Sequence, residues 1–310
     1  MSFSITTLSL WGVGYLLLLF LIAYATERWL PERITHHPLV YVLSLGVYAT
    51  TWSYYGSVGF AAQQGMLFLT IYLGVTLAFI LTPLLLLPLL RLTRSHQLTS
   101  LADLFAFRFD SHLAGVLVTL MMLTGILPYI ALQIRAVVDA TQILTAQDSP
   151  TAVAIGFCIV VTVFAIIFGA RHVTPREKHA GLVMAIAFES LIKLLGLLIL
   201  AGVAVMMAFG DLGGLDRWLR DNPAQLGAFY RPVIDGPWSS LLLITFAAGF
   251  LLPRQFHMMF TENLNPRALL TASWGFPLFL LLLAIAIPPI LWAGLTLQPA
   301  ANPDHYVLGL

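Results

Sequence analysis

Apolar stretches long enough to cross a hydrocarbon core recur along this chain, and that recurrence confines it to lipid. A bilayer core needs about 20 mostly apolar residues per helix. Eight stretches qualify: 8–25, 39–60, 66–90, 113–143, 151–170, 181–209, 239–260 and 269–296. Of the 310 residues, 59% are hydrophobic and 9% charged, against about 25% charged in a soluble domain. The expected fold class is an all-α multi-pass membrane protein. Residues 1–7 carry no Lys or Arg, and the apolar stretch after them exceeds a signal-peptide core, so it reads as a retained first helix. A net charge of +1 without a basic block argues against a nucleic-acid partner. Cys158 stands alone and cannot form an internal disulfide. The eight histidines are scattered without metal-ligand spacing, and no phosphate-binding glycine loop is present, so no metal site, cofactor or catalytic chemistry is read from these residues.

Basic residues set the expected orientation, because Lys and Arg stay on the cytoplasmic side. Arg28, Arg33, Arg91, Arg94, Arg108, Arg171, Arg176, Lys178, Arg254 and Arg267 fall at one set of span ends. The other set has Arg217, Arg220 and Arg231, in a long loop with Asp211, Asp216, Asp221 and Asp235. The amino terminus is therefore expected outside. The closing stretch "TLQPAANPDHYVLGL" reads as an outer loop cut mid-way, and the chain as a fragment of a longer protein.

Two features are unusual for lipid-facing spans. The segment 39–65 holds Gly46, Gly56 and Gly59, hydroxyls at Thr50, Thr51 and Ser53, and the cluster Trp52, Tyr54 and Tyr55. Glycine lowers helix propensity by up to ~1 kcal/mol relative to alanine, so a break fits. Carbonyls freed by a break must line a cavity or a cation site. The other reading makes the aromatics an interfacial belt and the glycines packing contacts. The sixth stretch keeps Glu189 and Lys193 at i and i+4, the better order for pairing. Either they form a structural pair docking this helix, or they serve a proton path or a coupling contact. Arg135 and Asp139 repeat the spacing in reverse order, and Tyr129 and Gln133, also four apart, put a hydroxyl and an amide on one face. Arg254 and His257 are expected at the cytoplasmic end of the seventh stretch, capping carbonyls.

Several separated stretches, "GVYATTWSYYGSVGFAAQQG" (46–65), "TSLADLFAFRF" (99–109), "PYIALQIRAV" (128–137), "FGARHVTPREKHAGLVMAIAFES" (168–190) and "LPRQFHMMFTEN" (252–263), carry a resemblance over essentially the whole chain. It resembles the solute:sodium symporter family, specifically the symporter-like membrane domain of bacterial sensor histidine kinases of the histidine-sensing, histidine-transporting type. The resemblance implies a partial fold of two inverted five-helix repeats with an extra amino-terminal helix, about eight of 13 helices being present. In that scheme 39–60 and 239–260 open the two repeats. It implies a substrate site at Thr50, Thr51, Trp52, Tyr55, Tyr129, Gln133, Thr245 and Phe246, and an ion site at Gly46, Ala49 and Thr50. Proline transporters of the family carry an acid in the broken helix where this chain has Tyr48, which leaves Na+ and H+ both open as coupling ion. The implied partners are an amino-acid substrate such as histidine, the lipid bilayer, a kinase domain in the same chain and a response regulator. The alternatives are a truncated stand-alone symporter, and a domain that only anchors and dimerises a kinase. The polar hollow is expected between the break and the helix around Thr245.

Overall fold

Backbone amides inside lipid must be bonded within the protein, which leaves helices and closed barrels as the spanning structures. A computed structural model describes residues 3–145, 149–164, 166, 179–232 and 236–310; it is helical, with no strand among the described residues. Arg171, Arg176 and Lys178, with the 168–178 part of the 168–190 motif, lie outside the described residues.

Helix α1 (Ile5–Trp29), capped by Ser4, which accepts from Thr7 N at 3.1 Å, packs against the long helix Ala180–Phe209. A short α2 (Glu32–Thr35) leads to α3 (Pro38–Ser44), whose proline occupies the first turn, where no amide is needed. The stretch read as 39–60 then breaks. A 3₁₀ turn, Leu45–Tyr48, passes into extended Ala49 (ψ 106°) and Thr50 (φ −107°, ψ −175°), and helix resumes as α4 (Thr51–Tyr54) and α5 (Gly56–Gln64). The chain reverses at Gly65 (φ +55°) and returns as α6 (Thr70–Ile80). The reversal brings Tyr72 Oη within 3.4 Å of Ser57 Oγ and Tyr48 Oη within 3.0 Å of the Ile71 carbonyl.

The stretch read as 66–90 is divided as well, α7 (Leu86–Ser95) following a turn that contains Pro83. Helix α8 (Leu101–Phe109) starts at a reciprocal cap: Asp103 N donates to Ser100 Oγ at 3.1 Å and Ser100 N to Asp103 Oδ2 at 3.0 Å. Then come α9 (His112–Thr145), α10 (Pro150–Phe164), α11 (Ala180–Phe209) and α12 (Leu212–Asp221). Helix α13 (Trp238–Leu251) bends by 48° at Leu252 into α14 (Pro253–Phe256) and a π-turn, His257–Thr261. The bend falls where Pro253 withholds an amide. Helix α15 (Ala268–Leu297) and the short α16 (Tyr306–Gly309) close the chain.

By length and apolarity, Ile5–Trp29, His112–Thr145, Ala180–Phe209, Ala268–Leu297 and the bent 238–261 pair can each cross a bilayer. Gly56–Ile80 is also long and apolar enough, but it is interrupted at Gly65, where the chain folds back far enough to bring Tyr72 to Ser57. The architecture is that of an all-α multi-pass membrane protein. Helix α15 is the hub, packed by α11, α3, α6 and α5, with Phe276, Leu280, Leu283, Ile287 and Ile290 buried. Lipid tails are as apolar as these side chains, so close packing is what holds the hub together. Helices α1 and α9 turn apolar faces outward: Trp11 is 76% and Met121 72% exposed.

The two ends of the bundle differ. At the basic end, Arg94 Nη2 donates to Asn263 Oδ1 at 2.9 Å and Thr261 Oγ1 to the Thr99 carbonyl at 3.0 Å. At the opposite end, Phe3 N donates to the Leu144 carbonyl at 2.8 Å and Arg231 Nη1 to the Gln63 carbonyl at 3.3 Å.

Candidate functional site

The break in the second apolar stretch strips carbonyls of their helical partners, and the protein supplies others, largely cationic. Within the turn, Ala49 N donates to the Gly46 carbonyl at 2.9 Å. Lys193 Nζ, reaching across from α11, donates to the Ala49 carbonyl at 3.2 Å. Arg254 Nη2, from α14, donates to the Tyr48 carbonyl at 3.4 Å, and Gln255 Nε2 to the Leu45 carbonyl at 3.4 Å. The second bent span therefore caps the first. Thr50 N turns to Ser53 Oγ at 3.3 Å, closing the first turn of α4.

Lys193 also meets Glu189 Oε1 at 2.5 Å, both side chains being about one-third exposed or less. Spacing placed these two charges on one face; that the ammonium bridges to another helix was not legible. Arg254 behaves likewise. It stacks 4.7 Å from the centre of the Tyr129 ring and donates to Tyr129 Oη, within the range of a cation–π contact. Instead of capping its own helix, it caps the broken one.

Beyond the break, toward the end opposite the basic one, opens a hollow of about 600 Å³. Thr51, Trp52, Tyr55 and Gly59 line it from α4 and α5, Arg135 and Asp139 from α9, and Asp304 and His305 from the segment after α15. Arg135 Nε lies 3.7 Å from Asp139 Oδ2, and both side chains are well exposed to the hollow. Asp304 is seated against Gly59, where a Cβ would collide with its carboxylate. Burial raises the Asp304 carboxyl above its usual range; the charge of His305 and the Gly59 amide pull it back in part, and Asp139 pushes it up further. The hollow thus offers a cation, two carboxylates, a hydroxyl and aromatic faces within one concavity, a mixture suited to a small dipolar solute.

The other residues singled out in the sequence divide. Gln133 accepts from Thr51 Oγ1, joining α9 to α4, and its Nε2 is buried without a partner. Tyr129 lies with Arg254, nearer the break. Thr245 lies apart from the hollow: its hydroxyl donates to the Thr70 carbonyl at 2.8 Å and the Leu241 carbonyl at 2.7 Å, in the seam between α13 and α6. Phe246 packs edge-on to Phe250 at 5.7 Å. The wall facing the break is consequently α9 and the terminal segment, in place of the helix around Thr245. Helical spacing says which residues share a face, and the choice of neighbour is made by packing. Asp304 and His305 were missed, lying in a stretch read as a loop.

At the basic end, Glu262 is 1% exposed and ties three donors together: His179 N at 2.8 Å, His179 Nδ1 at 2.9 Å and His257 Nε2 at 3.1 Å. Burial pushes this carboxyl up, but the hydrogen bonds from His257 and His179 outweigh it and hold it at about 2. His257 thus serves a carboxylate, where a carbonyl was expected. No cluster of three or more His, Cys, Asp or Glu able to hold a metal is found among the described residues.

The chain is 26% identical over 255 residues to a curated protein of Bacillus subtilis (strain 168) named "Uncharacterized symporter YhjB", the match covering 80% of this chain and 49% of that protein. The chain spans about half the length of the curated relative it matches. No protein-family profile and no solved structure matches the chain. The likeness and the helices together describe a symporter-like membrane protein.

Proposed function

We propose that this chain is the amino-terminal part of a transport domain that binds an amino acid, histidine foremost, in the hollow beside the broken helix, and moves it with Na+ or H+. The observation that carries this reading is the break at Ala49–Thr50 opening onto a concavity lined by Arg135, Asp139 and Asp304. A zwitterion needs a carboxylate partner and an ammonium partner, and Arg135 offers the first while Asp304 offers the second. Trp52 and Tyr55 supply flat apolar faces for a side chain such as imidazole. The helices would follow the family's two inverted five-helix repeats, and the bends at Ala49–Thr50 and Leu252 fit corresponding openings of the two. The amino terminus would lie outside, putting the hollow on the outer side.

The motifs "LPRQFHMMFTEN" and the start of α11 further support coupling to a sensor histidine kinase in the same chain, acting on a response regulator. In this reading the Glu262 tie between His179 and His257 is the contact from which the transport state is passed on. The second reading is a stand-alone ion-coupled symporter, which the printed name of the Bacillus relative favours. Two assays test these readings, uptake by the whole membrane domain and phosphorylation of the full-length protein. Labelled histidine should accumulate in proteoliposomes with the kinase removed, and Asp304→Asn should weaken binding by about tenfold or more, the loss of about 1.4 kcal/mol. Autophosphorylation that rises or falls with histidine selects the sensor; histidine uptake without any kinase activity selects the plain symporter.

A further inference from the structure

The main-chain oxygens that a coupling cation would use at the break do not fit a bare ion. The Gly46 carbonyl accepts from Ala49 N at 2.9 Å, the Tyr48 carbonyl from Arg254, and the Ala49 carbonyl from Lys193 Nζ at 3.2 Å. We propose that Lys193 is the resident cation of the broken helix: its ammonium occupies the cation place at the Ala49 carbonyl, with Glu189 as counter-charge, and excludes Na+ from it.

The surroundings are those of a cation site that the chain itself fills. Glu189 Oε1 stands 2.5 Å from Nζ, a charge-assisted contact. Ser190, one residue on, is 1% exposed, has no partner for its hydroxyl, and lies where a Cβ on Gly46 would strike it. Tyr15 from α1 and Tyr54 from α4 lie within reach of the Glu189 charge, and the Tyr54 hydroxyl is buried without a partner. Arg254 closes the side toward Tyr48. Around the ammonium, then, are a carbonyl and a carboxylate, hard oxygen donors of the kind that hold Na+ or Ca2+. A second cation added here would meet the ammonium at short range in a medium that screens it poorly. Removing the ammonium alone would leave those oxygens without a positive charge.

The structural half of this inference stands on the contacts; its consequence for transport, independence from Na+ at this place, rests on the symport reading above. The test uses the full-length protein in detergent and radioactive sodium as probe. Lys193→Ala is expected to gain one saturable sodium site relative to wild type, and Lys193→Arg, which keeps the charge, to gain none. Glu189→Gln with Lys193→Ala is expected to lose the gained site. Should Lys193→Ala fail to give monodisperse protein, Lys193→Gln retains a donor to Ala49 while removing the charge, and takes the same readout. Equal sodium stoichiometry in wild type and the folded neutral variant overturns the proposal. Histidine binding is measured in parallel in choline chloride. Its absence from wild type would count against the transport reading alone and leave the sodium comparison intact.

Discussion

Lys193 shows how much a single charged residue can settle in lipid. An unpaired Lys near a helix centre costs ~2.5–3.5 kcal/mol on insertion scales, and here it is answered twice, by Glu189 at 2.5 Å and by the Ala49 carbonyl at 3.2 Å. Glu189→Ala is expected to lower the yield of folded protein, and adding Lys193→Ala to restore part of it. A double variant as damaging as the sum of the singles would contradict the pairing. Glu262 supports a pH prediction. Its folded value of about 2 lies below its ordinary 4.5, so its stabilisation is fully present above the unfolded value and is lost as pH falls from about 4.5 toward 2. The contribution is on the order of 3 kcal/mol. Melting of the wild type should therefore decline through that window more steeply than melting of Glu262→Gln, which should already be less stable at neutral pH. Parallel acid limbs in both proteins would remove the argument. At this scale the i, i+4 pairs were legible in the sequence. The partners that Lys193 and Arg254 find across the fold, the Ala49 and Tyr48 carbonyls, were not, because the broken segment lies far from both in sequence.

The decisive element is the interrupted helix made of α3, α4 and α5. Its glycines and hydroxyls marked it as weak, and the break falls at Ala49–Thr50, inside the stretch so marked. Why the break is held there is a matter of packing: Gly46 admits the Ser190 side chain and the Phe279 ring so closely that a Cβ would overlap the first and crowd the second. Gly46→Ala is expected to cost about 1–3 kcal/mol, as overpacking does, and to weaken histidine binding by displacing the turn. Thermal melting and binding measured on one preparation check it, and unchanged values for both would mean that the turn tolerates the methyl. The opposite wall of the hollow was misplaced for a physical reason. Thr245 has the right composition around it, but its hydroxyl is consumed by the Thr70 and Leu241 carbonyls in the α6–α13 seam.

For the molecule as a whole, span-length apolarity made the all-helical, multi-pass class legible, since every stretch of sufficient length had to become helix. The interior reversal at Gly65 and the turn after Ile80 were less so, because apolar composition continues through them. The proposed orientation, argued from the Lys and Arg bias, has its own test. In a Cys158→Ser background, Asn302→Cys should react with a membrane-impermeant maleimide added to intact cells, and Arg33→Cys should not; the reverse pattern would invert the topology. The central claim, that an amino acid sits in the hollow beside the break, is tested most directly by protection at its wall. Thr51→Cys in the same background should be labelled by the maleimide, and saturating histidine should slow that labelling severalfold. An unchanged labelling rate in a protein that demonstrably binds histidine would place the solute elsewhere and contradict the account.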